Sequence, residues 1–371
     1  MTPNRTVAAL LAVAGPALAV PAFFHPAVPF WLAGLPLLAG IWAGTRLARA
    51  AAMLGWLAVP AAVSAIGLTG IGYAPGLVWP GAAAVVLAIA FLAAYMGLSL
   101  ATFALTLVPF FPASPLVTLA DVLPGVGIGG LCLVAGALAW VELVPSSRGR
   151  FLLGILAVLA AVNALGWEGF RSPPSAWAEV PEPRGLTERG RWMAIRDFLP
   201  EGSAAVLGEA VFRADDLSAL DFWCRAAEAR DLTLFVGVTE THGGTDRGAV
   251  WRLDRKACAP GGAPGVAARA WLGIPLVTGD WHPMPVTDLR AAGPHFLVCL
   301  EGFLPWSWAR TAATGAGPDV VVVSNDGAFG PLPVAVLRRK AAGAMAALLR
   351  RGIAHAETGR TLLVRAQGMS G

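Results

Sequence analysis

The chain is 371 residues long, 56% hydrophobic and only 13% charged, well below the quarter charged that is usual for a soluble protein. Its formal net charge of +4 comes from scattered arginines with no basic run, which excludes a nucleic-acid footprint. The shortage of charge is confined to one half: from Met1 to Trp167 the charged residues are Arg5, Arg46, Arg49, Asp121, Glu142, Arg148 and Arg150.

That half parses into apolar stretches of about 17 to 25 residues, the length that crosses a hydrocarbon core of roughly 30 Å. The predicted spans are 7–24, 28–45, 51–72, 77–95, 97–113, 122–143 and 150–167. The stretch 77–113 is too long for one crossing and has no charge to mark a turn, so arginine placement divides it. With Arg5 in the cytoplasm and seven spans, the Arg46/Arg49 and Arg148/Arg150 loops both fall on the cytoplasmic side, and the C-terminal domain falls outside. A cleavable secretory signal is the competing reading of the N-terminus, because Ala17-Leu18-Ala19 follows an apolar run. The further spans behind it favour an uncleaved first helix. No span carries paired buried charges, and Glu142 lies near a membrane edge, so a transporter ranks third.

The predicted membrane domain is 1–167. A Pro-rich linker occupies 168–190, with Pro173-Pro174 and Pro181-Glu182-Pro183, and a soluble domain occupies 191–371. Within the latter, Ala204–Leu207 is a short strand ending at Gly208-Glu209, and Leu232–Val238 and Gly248–Leu253 are the next two. HFLVCL, 295–300, ends at Glu301-Gly302, and Val320–Val323 ends at Ser324-Asn325-Asp326-Gly327. A long Ala/Leu/Arg segment, 333–357, has helical spacing. Strands alternating with helices, with apolar runs lacking polar alternation, predict an α/β domain with covered sheets.

Cys132, Cys224, Cys258 and Cys299 form no CxxC or Cys/His zinc spacing, so no metal site is expected. In an external domain a Cys224–Cys258 disulfide is possible. Several strands end on chemically useful residues: Glu209, Cys299 with Glu301, and the Ser324-Asn325-Asp326 loop. The carboxyl ends of strands are where α/β sites assemble. Each also has a plain structural explanation, since Cys is often a small buried hydrophobe, Glu caps helices, and Ser-Asn-Asp-Gly is common turn chemistry. His295 is no partner for Cys299, because four residues of strand separate them by roughly 13 Å.

Taken together, Val298-Cys299-Leu300-Glu301 through Pro305, Val323-Ser324-Asn325-Asp326 with Phe329-Gly330, and Ala356-Glu357-Thr358-Gly359-Arg360 carry a resemblance. In this order, behind seven spans, the chain resembles the apolipoprotein N-acyltransferases, the membrane branch of the carbon–nitrogen hydrolase (nitrilase) superfamily. Ile274 through Pro283 is similar to the Trp-Xaa-Pro segment of the conjugal transfer branch, TraB.

The resemblance implies a polytopic α-helical membrane domain followed by a nitrilase-type α-β-β-α sandwich, in a bacterial inner membrane with the sandwich on the periplasmic side. It implies a Glu-Lys-Cys triad without a cofactor. Cys299 would form an acyl thioester, and Glu209 would take the thiol proton, which an ordinary thiol near pKa 8.5 mostly keeps at neutral pH. Glu301 and Asp280 match supporting acidic positions, and Asn325 and Asp326 would shape the pocket beside the cysteine. A phospholipid acyl donor and an amine or lipoprotein acceptor are the implied partners.

The chain departs from the pattern where the lysine belongs, near Ala270. Its lysines are Lys256 and Lys340; Lys256 lies upstream, and Arg269 is nearer the expected place and could face an oxyanion. Leu300 and Ala328 replace expected aromatic residues, and the sequence stops early after Arg365-Ala366, which would leave a sheet edge open to a protein partner. A non-catalytic scaffold or binding protein on the same fold is therefore the alternative to an acyltransferase or amidase.

Overall fold

The computed structural model describes residues 3–70, 72–106, 114–144, 149, 151, 154–155, 157–158, 161, 173–181, 187–199, 201–202, 204–242, 245–270, 294–313, 319–325, 333–357 and 360–364. They belong to two compact units. One comprises Met1–Ser172, Phe303–Ala312 and Gly327–Arg350; the other comprises Pro173–Gly302, Ala313–Asp326 and Arg351–Gly371.

The first unit is helical: α1 (Pro3–Phe24), a 3-10 turn (Phe30–Gly34) leading into α2 (Leu35–Ala43), α3 (Arg46–Gly70), α4 (Pro75–Met96), α5 (Leu98–Thr106), α6 (Pro115–Ala120) and α7 (Gly127–Leu143). Among the described residues three helices, Arg5–Phe24, Arg46–Gly70 and Pro75–Met96, are long and apolar enough to cross a membrane. Their surfaces agree with that length. Leu10, Leu77, Leu87 and Phe91 are more than half exposed, which a bilayer accepts and water penalises. Where α1 crosses α3, a Cβ on Gly15 would lie 2.4 Å from the carbonyl carbon of Gly55, so the two helices approach at backbone distance through glycine.

The other predicted spans fare differently. The segment 28–45 forms a helical stretch of only Phe30–Ala43, and α7 covers Gly127–Leu143, both shorter than those three long apolar helices. Only Leu98–Thr106 of 97–113 is described as helix, and 150–167 lies almost wholly outside the described residues. The division of 77–113 falls at Gly97, whose φ of +107° ends α4 and starts α5.

The second unit is mixed α/β: β1 (Trp177–Pro181), α8 (Glu188–Phe198), β2 (Ala204–Arg213), α9 (Leu217–Ala229), β3 (Thr233–His242), β4 (Thr245–Leu253), α10 (Arg255–Cys258), β5 (Gly265–Arg269), β6 (His295–Val298), β7 (Asp319–Ser324), β8 (Gly352–Glu357) and β9 (Arg360–Val364). Between β6 and β7 run a 3-10 turn (Cys299–Phe303) and α11 (Pro305–Ala313), and α12 (Val334–Leu349) precedes β8. By their contacts α12 and all but the last residue of α11 group with the first unit.

A six-stranded sheet has the order β1-β9-β2-β3-β4-β5, and a three-stranded parallel sheet the order β6-β7-β8. The sheets face each other across one core, in which Val206, Phe235 and Val250 of the larger meet Phe296, Val298, Val321 and Val323 of the smaller. The other face of the larger sheet is covered by α8 and α9 through Ile195, Ala219 and Trp223. All six residues of β7 are buried, which is why its valines show no polar alternation.

Two expectations are corrected here. The 333–357 segment is not one helix: α12 stops at Leu349, Arg350 takes the left-handed conformation, and Gly352–Glu357 continues as a strand parallel to β7. Arg351-Gly352 is the break. A Cβ on Gly352 would lie 2.2 Å from Asp319 Oδ1, whose carboxylate accepts the Ala176 amide at 3.2 Å through Oδ2. The predicted linker, in turn, contains edge strand β1, paired antiparallel with β9. Cys224 and Cys258 form a disulfide, joining α9 to α10 across 34 residues.

Candidate functional site

The carboxyl ends of the parallel strands are the natural place to look. Val298, Val323 and Ala356 lie side by side in register, and Ser324 pairs with Glu357 one step further on. Cys299 follows β6 as the first residue of the 3-10 turn. The strand cannot continue in extended form there, because the Glu301 carboxylate turns back and accepts the Val298 amide at 2.9 Å. Glu301 is buried, so its charge is tied to the backbone that presents Cys299. Ser324 and Glu357 are buried as well, and His355 Nδ1 lies 3.8 Å from Glu357 Oε1. Asn325, half-buried, directly follows β7.

On the larger sheet, Glu209 sits in an irregular part of β2, where the pairing with β3 shifts between Leu207 and Phe212. Bulges of this kind re-aim side chains and are frequent beside active sites. The side chains of Glu209 and Cys299 lie outside the described residues, as do Asp280 and Asp326 entirely.

Arg269 ends β5 on the row Arg269, Ala249, Val238, Phe212, level with the end of the β2 bulge and three strands from it. That is about 14 Å at the usual strand spacing. Its guanidinium is already engaged by Glu240, with Nε 2.7 Å from Oε2 and Nη2 3.3 Å from Oε1. Trp251 Nε1 donates to the same carboxylate at 2.7 Å. Lys256 is placed elsewhere. It is exposed in α10, beyond Leu253, which pairs with Leu234 at the opening of β3. Four residues of strand separate that row from Val238, roughly 13 Å, so Lys256 does not join the strand ends where Glu209 and Arg269 lie.

Two polar constellations escaped the sequence reading. In the helical unit Glu142 Oε1 and Oε2 accept the amides of Leu98 and Ser99 at 2.7 and 2.9 Å, capping the N-terminus of α5. Arg49 Nη1 lies 3.5 Å from Glu142 Oε1, so the buried carboxylate near the predicted membrane edge has a half-buried arginine from the loop between two predicted spans beside it. The signal was the charge census itself, since a lone glutamate in so apolar a half needs a partner. Gly97 makes room for it: a Cβ there would lie 2.8 Å from Glu142 Oε2.

The other lysine, Lys340 on α12, donates to the carbonyls of Ala22, His25 and Val28 at 2.7, 2.5 and 2.5 Å, closing the C-terminal end of α1. Burial pulls its ammonium below the ordinary lysine value, and the Asp121 carboxylate raises it again. Three carbonyl acceptors favour the charged form, so Lys340 acts as a cationic clasp.

Among the described residues no group of His, Cys, Asp and Glu could hold a metal ion. No family model matches the chain, and no curated protein matches it.

Proposed function

We propose that the protein is a membrane-embedded thiol acyltransferase or amidase of the carbon–nitrogen hydrolase type, with Cys299 as nucleophile and Glu209 as its base. The observation that carries this reading is the placement of Cys299 at the carboxyl end of a parallel strand, on a turn held by the buried carboxylate of Glu301. A nucleophile on a tight turn at a strand end is where an α/β layered fold exposes a reactive atom. The bulge that contains Glu209 supports it, as do the two facing sheets, which agree with three layers of an α-β-β-α sandwich. The Cys224–Cys258 disulfide supports an oxidising, periplasmic location for this unit. The acyl donor would be a phospholipid and the acceptor an amine, in a bacterial inner membrane, with conjugal transfer as one setting for it.

In the proposed cycle the Cys299 thiolate attacks the acyl carbonyl, Glu209 holds the thiol proton and returns it to the departing group, and the acceptor amine releases the thioester. The engagement of Arg269 by Glu240, and the distance of Lys256, favour a second reading in which the fold binds without catalysis. The experiment that separates them is thiol labelling in native membranes with an alkyne-tagged iodoacetamide, in a Cys132→Ala background, because Cys132 is an exposed free thiol. An activated Cys299 labels fast below pH 7, and Glu209→Gln abolishes that speed. Labelling at an ordinary thiol rate, indifferent to Glu209, defeats the catalytic reading and leaves the binding one.

A further inference from the structure

Helices α2, α5, α6 and α7 enclose a cavity of about 510 Å³, within the roughly 300–1,000 Å³ range of ligand pockets. Leu35, Leu38, Ile41, Leu119 and Leu138 form much of its wall, and none of the described residues that line it is charged. The cavity follows α2. At one end Gly34 faces Thr118, and toward the other Gly40 faces Leu98. From Gly34 to Ile41 the helical rise gives a slot about 10 Å long.

Charge stands beyond both ends and not between them. Trp31 at one end donates its amide to Asp121, and Leu98 and Ser99 at the other donate theirs to Glu142. The hydroxyls of Ser99, Thr102 and Thr118 interrupt the apolar wall, and that of Thr118 is spent on the Pro115 carbonyl, which leaves a water few of the two to four polar partners it needs. Hydrocarbon suits such a wall. Phe103 both lines the cavity and is 57% exposed, so the slot opens on the apolar surface that also carries Leu100 of α5. That opening faces the medium that the apolar surface itself requires, which is lipid.

We infer that this cavity is a binding site for one acyl chain of a membrane lipid, entering from the bilayer past Phe103. Every residue that lines it belongs to the helical unit, and the inference does not rest on acyl transfer. It gives the helical unit a ligand of its own.

The test uses the full chain in nanodiscs containing phosphatidylethanolamine with a diazirine midway along one acyl chain, followed by photolysis and peptide mapping. Adducts are expected on wall residues such as Leu38 and Leu119. They should fall at least fivefold in Ala135→Trp and, on a different helix, in Thr102→Phe, while adducts on the outward Leu133 stay constant and the melting temperature of at least one variant is retained. Cys299→Ala should leave every adduct in place, and loss of the wall adducts in that variant would overturn the independence of the site from acyl transfer. Adducts confined to outward residues, or wall adducts that persist in both filled variants, would overturn the site itself.

Discussion

Both units have an arginine–glutamate pair whose carboxylate accepts further hydrogen bonds, yet the two pairs do different work. In the α/β unit Arg269 meets Glu240 at 2.7 Å with its side chain 44% exposed, and solvent screens the attraction. In the helical unit Arg49 and Glu142 are farther apart, at 3.5 Å, but Glu142 is 6% exposed and also satisfies two backbone amides. The shorter pair is the dispensable one. Distance ranks these interactions wrongly, because the cost of an unpaired partner is set by what surrounds it.

Removing Glu142 is the sharpest way to break this contrast. Glu142→Ala leaves two helix-terminal amides without an acceptor and takes the carboxylate from a half-buried guanidinium that keeps the Gly44 carbonyl, and should cost about 3–5 kcal/mol, read as a large fall in melting temperature in detergent. An unchanged melting temperature would mean that water reaches the pair. Next comes the disulfide of the other unit: Cys224→Ser should cost about 3–4 kcal/mol for a 34-residue closure, seen as a fall in melting temperature that reductant reproduces in the native chain. Gly97→Ala should cost about 1–3 kcal/mol through the φ of +107° and the crowding of Glu142, and pairing it with Glu142→Ala should recover part of the loss. Arg269→Ala is expected to shift stability by at most about 1 kcal/mol, and salt should shrink even that.

The smallest effect concerns Asp216, which caps α9 by accepting from the Ser218 hydroxyl and the amides of Ser218 and Ala219. The Ser218 hydroxyl first, and then the Ala219 amide, hold its carboxyl below the ordinary value of 3.8. A depressed acid stabilises the fold above its unfolded pKa, and that contribution disappears as pH falls through the folded value. Acid titration of Asp216→Asn should lose the step below pH 4 while keeping the cap, since Asn serves there equally well.

What could be read from sequence followed the same contrast between local and remote causes. The buried valines of β7 are a local pattern and emerged in place, whereas the break near Gly97 was placed by arginines remote from it. Strand β8 did not emerge, because Ile353-Ala354-His355-Ala356 continues the composition of α12, and only the pairing with β7 makes it extended. The Cys299 turn was legible as a strand end. Its support by Glu301 was foreseen only as an acidic neighbour, and the Arg269–Glu240 pair joins residues 29 apart that no local motif connects.

Lys340 has a further consequence for how the chain is made. Its carbonyl partner Ala22 precedes it by 318 residues, whereas Glu142 follows the amide that it caps by only 44. At about 5–20 residues per second of synthesis, α5 waits roughly 2–9 seconds for its cap, and the end of α1 waits roughly 16–64 seconds. Helix α1 therefore leaves the ribosome long before it can be closed. A nascent chain stalled before residue 340 would hold the carbonyls of Ala22, His25 and Val28 without their ammonium, a handle by which quality control could tell an unfinished protein from a finished one.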